Sequence, residues 1–260
     1  DWIPKNSEEK YEGELLSMKF GLANSINTVT TYIMKQFGPH AVVDLARKMG
    51  ITSRLLPVPS ICLGTFDLSV YEMVGAYSTF VNKGVWTEPI IVTRIEDKNG
   101  VVLEEIKPKT TEAMSAETAD IMVRMLQGVV DGVQNPKNGE KKGTGVRLRF
   151  KYQFKNEIGG KTGTTQNNSD GWFMGITPNL VTGVWSGNED RSVHFRTTAL
   201  GQGANMALPI WAEYMQKVYA DTTELGIYPE KFDISKTLDM ALDCGEKYQG
   251  RNNNNFEEEF

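Results

Sequence analysis

Histidine and cysteine are nearly missing from this sequence, with two of each among 260 residues. His40 and His194 stand alone, which reads as loop or surface placement rather than as a ligand or base. Cys62 and Cys244 lie in no C-x-x-C pattern or Cys/His cluster, which argues against zinc binding and dithiol redox chemistry. Cys62, between Ile61 and Leu63, reads as a small buried thiol, with a disulfide to Cys244 as the alternative. No apolar run approaches the roughly 18 residues of a membrane span. No signal peptide is visible either. The net charge of -5 gives no electrostatic case for nucleic acid.

What remains is the composition of an ordinary soluble fold, 40% hydrophobic and 23% charged. The length suits one large domain or two small ones. The opening "DWIPKNSEEKYEG" reads as mid-chain sequence, so an excised fragment is expected, and the lack of an anchor says little about the parent. There is no internal repeat.

Periodicity predicts a helix over residues 13–37, with a break near Asn24, and another over 39–49 that Gly50 stops. Residues 55–65, with Pro57, Pro59 and Gly64, read as a loop. Val70, Met73, Val74, Tyr77 and Val81 share one helical face, and Gly84 follows. Residues 90–95 and 101–106 flank "DKNG", a hairpin signal with Asn99-Gly100 at its turn. Ser115 opens a helix that runs to Asp131. "GVQNPKNGEKKGTGVR" is expected to be an exposed, polar loop. Residues 157–165, 170–177 and 180–186 read as successive antiparallel strands, and 205–219 as a closing helix. After Ala220 the packing signal fades, and "GRNNNNFEEEF" has the composition of a disordered tail. The sum is an α+β fold.

The stretch "GGKTGTTQNNSDGWFMGITP" carries the most chemistry. Lys161 offers a cation to a substrate carboxylate, and the hydroxyls of Thr162 and Thr164 can bind the same group. Gly163 lets a substrate or neighbouring helix approach the backbone closely. An exposed edge of such a strand can pair with an extended peptide, and its N–H groups can stabilise an oxyanion. Well before it comes Ser25-Ile26-Asn27, where a hydroxyl and an amide can face one cleft if a helix breaks there. Either motif alone is weak: a surface strand ending in threonines, or a serine capping a helix, explains each better.

Together, and in this order, S-x-N and K-T-G resemble the transpeptidase domain of class A, bifunctional penicillin-binding proteins. "LANSINTVT", "LPVPSICLGTFDLSVYEMVGAYSTF", "GKTGTTQNNSDGWFMGITPNLVTGVWSGNED" and "ALPIWAEYM" extend the resemblance across residues 1–219, with 220–260 as a C-terminal extension. It implies a penicillin-binding-protein/β-lactamase-like fold and a peptidoglycan D,D-transpeptidase, with no metal and no cofactor. Ser25, Asn27 and Lys161 would be catalytic, and Thr162, Gly163, Thr164 and Thr165 would bind substrate. The expected partners are peptidoglycan stem peptides and β-lactams. The expected location is the periplasmic face of the cytoplasmic membrane, with an anchor and a glycosyltransferase domain upstream.

The family's third motif, the nucleophilic serine of S-x-x-K, has one formal match, Ser7-Glu8-Glu9-Lys10. A catalytic serine needs a rigid, partly buried helix start so that lysine can take its proton. Ser7 sits in a charged stretch with no apolar helix behind it and reads as a decoy. The nucleophile is therefore expected before Asp1, the fragment alone is expected to be inactive, and β-lactams would bind only with the missing segment. The gap would be covered by that segment or by self-association. Two other readings are a self-contained serine hydrolase using Ser7 and a non-catalytic module that binds peptidoglycan peptides or a partner.

Overall fold

The computed structural model describes residues 4–7, 11–135 and 137–235. Helix α1 (Met18–Ala23) opens at Ser17, whose hydroxyl accepts the Phe20 N–H at 3.1 Å. The helical reading from Gly13 therefore begins too early. The chain breaks over Asn24, Ser25 and Ile26, as anticipated, and resumes as α2 (Asn27–Lys48). A kink at Gly38 divides α2, and Pro39 restarts it where no N–H is required. The two helices expected on either side of Gly38 are thus the halves of one kinked element. Of the side chains of α2 only Met34 is buried, and Tyr32 and Phe37 lie open.

The segment read as a loop holds a 3-10 turn, Pro59–Leu63, and Cys62 is half-buried there rather than enclosed, its thiol donating to the Pro59 carbonyl at 3.2 Å. Helix α3 (Val70–Val81) starts with a reciprocal cap between Ser69 and Glu72. The strands β1 (Val85–Thr87), β2 (Arg94–Glu96), β3 (Val102–Glu105) and β4 (Thr110–Glu112) form two antiparallel pairs, β1 with β4 and β2 with β3. The inner pair was expected from its turn, where the Asp97 carboxylate accepts the Asn99 and Val101 N–H groups at 2.8 and 2.9 Å. The outer pair was not, because three-residue strands leave no readable alternation.

Helix α4 (Ala116–Asp131) is capped by Ser115 and buries a long apolar face. The connection after it is not simply an exposed loop. It forms β5 (Val133–Gln134), β6 (Lys141–Lys142) and α5 (Arg147–Phe150), and buries Val133 and Leu148. The central sheet is β7 (Gly159–Thr164), β8 (Asp170–Thr177) and β9 (Leu180–Gly187), antiparallel in the order β7-β8-β9. The short α6 (Thr198–Gly201), α7 (Gly203–Ala220) and α8 (Thr222–Leu225) complete the described elements.

The sheet is covered on both faces. On one face α7 lays down Ala207, Leu208, Trp211 and Met215, and Trp211 meets Phe173 edge-on at 5.2 Å. This approach needs small residues. A Cβ on Gly203 would strike the carbonyl oxygens of Gly163 and Trp172, and one on Gly175 would strike the Trp211 ring. On the other face Val123 and Leu126 of α4 pack on Ile176. Beyond α8 the chain returns across this face, where composition had shown no packing signal. Phe232 and Ile234 join the Val123, Leu126 and Ile176 cluster. Lys83 pairs with Asp120 at 3.0 Å and also reaches the Asp233 carbonyl, and Asp120 accepts the Ser235 N–H at 3.0 Å. The polar tail and Cys244 fall outside the described residues. Both histidines are exposed, as expected. Trp211→Ala should cost about 3–5 kcal/mol and Phe232→Ala roughly 1–2 kcal/mol, compared by urea denaturation. Equal costs would show that the returning segment is core rather than a strap over it.

Candidate active site

The site forms where the α1–α2 break meets β7. Ser25 sits in that break with φ 54°, a left-handed conformation uncommon for a residue bearing a side chain. Local contacts hold it there: Ser25 N–H donates to the Leu22 carbonyl at 3.2 Å and Ile26 N–H to the Gly21 carbonyl at 2.9 Å. Lys161 comes from the middle of β7. Its Nζ donates to Ser25 Oγ and, at 2.7 Å, to the Thr162 carbonyl. Residues 136 apart in sequence are thus in direct contact. Burial pushes the Lys161 amine down from 10.5 to about 8. The result is a hydroxyl bonded to an amine that is partly neutral close to physiological pH, a pair able to relay a proton.

The remaining expected residues divide by strand alternation. Lys161 and Gly163 face with Met174 and Trp172, their partners in register on β8. Thr162 and Thr164 face the other way, towards α7. Thr162 is buried and donates to Thr144 Oγ1 at 2.8 Å. Thr164 is exposed and its hydroxyl accepts the Gly203 N–H at 2.9 Å. Thr165 lies just past the strand, where its Oγ1 accepts the N–H groups of Ser169 and Asp170 at 3.1 and 2.9 Å and organises the turn into β8. Within the described sheet β7 is an edge strand, paired with β8 alone.

Asn27 is not drawn into the Ser25–Lys161 contact. It opens α2, and its amide donates to the Lys5 carbonyl at 2.7 Å. Asn6, which no local pattern marks, accepts the Thr28 N–H at 3.0 Å through its carbonyl oxygen and so caps α2 from 22 residues away. Ser7 beside it is exposed and outside any helix. Among the described residues no group of three or more His, Cys, Asp or Glu side chains could hold a metal ion. No helix among them is long and apolar enough to cross a membrane.

Comparison with known proteins places the fold in a family. Residues 59–220 match the penicillin-binding-protein transpeptidase domain. That span holds Lys161 to Thr165 and begins after Ser25 and Asn27. The chain is 35% identical over 221 residues to penicillin-binding protein 1A of Aquifex aeolicus (strain VF5), covering 84% of this chain and 28% of that protein. It is 29% identical over 254 residues to penicillin-binding protein 1B of Vibrio cholerae, covering 95% of this chain and 30% of that protein. The chain therefore spans less than a third of the length of these relatives. Among solved structures, penicillin-binding protein 1A from Haemophilus influenzae superposes with a TM-score of 0.74 at 26% identity, over 85% of this chain and 36% of that one. PonA1 from Mycobacterium tuberculosis, solved with penicillin V, superposes with a TM-score of 0.61 at 23% identity, over 84% of this chain and 60% of that one, a likeness of fold. The sheet covered by α7 and α4, the K-T-G strand at its edge and the match across residues 59–220 have one source: the chain belongs to the penicillin-binding-protein transpeptidase family, with class A proteins among its relatives.

Proposed function

We propose that this chain is the C-terminal part of the transpeptidase domain of a class A penicillin-binding protein, which cross-links peptidoglycan stem peptides outside the cytoplasmic membrane. Its parent would be membrane-anchored and would also carry a glycosyltransferase. The observation that carries this reading is the contact between Lys161 Nζ and Ser25 Oγ. In the proposed reaction a serine from outside the described residues attacks the D-Ala–D-Ala carbonyl. The tetrahedral intermediate collapses, D-alanine leaves, and an acyl-enzyme remains. An amine from a second stem peptide then takes the acyl group. Ser7 is not proposed as that nucleophile, since it is exposed on non-helical backbone with no lysine bonded to it among the described residues.

Each residue here has a part that fits its chemistry. Ser25 hands a proton to the leaving amine, and Lys161, partly neutral, exchanges that proton with Ser25. The two threonines are not equivalent. Thr162 spends its proton on Thr144, whereas Thr164 accepts from Gly203 and keeps its O–H to donate. Thr164 is therefore the hydroxyl that grips the substrate carboxylate, and its N–H supplies one arm of an oxyanion hole. Gly163 leaves room for the donor along the edge of β7, where the extended peptide adds as a strand. Asn27 bonds the donor's side chain after releasing Lys5. The exposed Leu15, Met18, Tyr32 and Phe37 are apolar surface in the α1–α2 region that the rest of the domain would cover.

Five results test this reading. Incubation with a penicillin, followed by intact-mass measurement, should leave this chain unmodified and should give a stoichiometric adduct in the full-length parent. Ser25→Ala or Lys161→Met in that parent should slow acylation by about 10²-fold or more. An adduct on Ser7 would overturn the assignment. The wild-type acylation rate should fall as pH rises through about 8, where Lys161 loses the proton it passes to Ser25. Stability follows the same group: between about 8 and 10.5 the unfolded chain binds the extra proton, so stability rises with pH across that window. The gap in urea midpoint between Lys161→Met and wild type should shrink as pH rises through it. Finally, light scattering on this chain alone should show concentration-dependent self-association through the open α1–α2 face, reduced by Phe37→Ser. A strict monomer would show that this face needs no cover.

A further inference from the structure

The connection after α4 carries Gly143-Thr144-Gly145. Its middle residue, Thr144, makes two bonds to parts of the chain that the site depends on. Its N–H donates to the Ala23 carbonyl at 2.9 Å, at the end of α1 and two residues before Ser25. Its Oγ1 accepts the Thr162 hydroxyl at 2.8 Å, one residue from Lys161. The backbone around it has little freedom. Gly145 N–H donates to the Val129 carbonyl at 3.0 Å, and a Cβ on Gly143 would press to 2.5 Å from that same oxygen. The last turn of α4 therefore holds Thr144 in place from behind.

These bonds close a circuit. Ala23 is held by Thr144, Thr144 by Thr162, and the Thr162 carbonyl by Lys161 Nζ, which also reaches Ser25. Asn24 completes the loop covalently. We propose that Thr144 is a positioning residue that sets the approach of Lys161 to Ser25 by tying the end of α1 to β7. Its catalytic consequence rests on the transpeptidase reading, but its geometric consequence does not. Thr162 is buried, so removing the acceptor leaves its hydroxyl unpaired in the interior. Strand β7 and the Ser25 turn then separate, and water reaches the Lys161 amine. Among the described residues the partners of that amine are neutral: Ser25 Oγ from the α1–α2 turn and the Thr162 carbonyl from β7. Hydration, rather than loss of a charge, is what would alter it.

The test compares Thr144→Val, which keeps the N–H and shape but loses the hydroxyl, with Thr144→Ser, which keeps the hydroxyl. The first readout is the titration midpoint of Lys161, followed by ¹³Cε NMR in the protein with selectively labelled lysine and assigned with Lys161→Arg. Wild type should titrate near 8, Thr144→Val should move towards the free-amine value of 10.5, and Thr144→Ser should stay with wild type. The second readout is penicillin acylation of the full-length parent. There Thr144→Val should lose about tenfold or more in the acylation step with little change in initial binding, and Thr144→Ser should restore it. Should Thr144→Val fail to fold, Thr162→Val removes the same bond from the other side and should give the same rise in midpoint. An unchanged midpoint in a folded hydroxyl-deleted variant would overturn the proposal, as would a Thr144→Ser variant that behaves like Thr144→Val. If wild-type parent takes no penicillin while the midpoints move as stated, the transpeptidase reading fails and the positioning role stands.

Discussion

The close seating of α7 on the central sheet is the contact from which the rest of the domain is built. Trp211 lies fully buried against Phe173, and the helix comes this near only because the residues beneath it lack side chains. That seating decides which face of β7 meets α7. Once Thr162 and Thr164 turn towards α7, strand alternation turns Lys161 to the opposite side. A close packing requirement on one face thus aims the Lys161 amine on the other.

The amine then meets a turn that is itself fixed locally. Ser25 depends on the end of α1 and the start of α2, and Asn6 caps α2 from a segment distant in sequence. Lys161 gains no counter-ion among the described residues, and this matters for its chemistry. A carboxylate beside it would have held it charged, whereas burial among neutral groups keeps proton exchange within reach. The site therefore trades some folding stability for a usable protonation equilibrium, as strained or desolvated functional groups commonly do.

Much of this was legible before any coordinates, for reasons that differ by element. The sheet strands around Lys161 were short runs separated by polar turns. A break was expected near Asn24, and the order of S-x-N and K-T-G pointed to the family. What stayed hidden depends on partners far along the chain. Thr144 finds Thr162 at a separation of 18 residues, and Asn6 finds Thr28 at 22, and nothing local marks either. Likewise, Phe232 and Ile234 are two apolar residues in a polar run, and they gain meaning only from the groove beside α4. Asn27 carried a recognisable motif, yet its amide is held by Lys5 instead of turning to Lys161.

The left-handed backbone at Ser25 narrows what mutation can do there. Threonine keeps a hydroxyl but is branched at Cβ, and a positive φ of 54° is strongly unfavourable for such a residue. Glycine and asparagine accept that backbone readily but bring no hydroxyl. The position asks for two properties that few residues combine, so exchange through the usual serine–threonine or serine–glycine steps loses one of them each time. For the proposed relay, drift at this position is blocked by the backbone as much as by the chemistry.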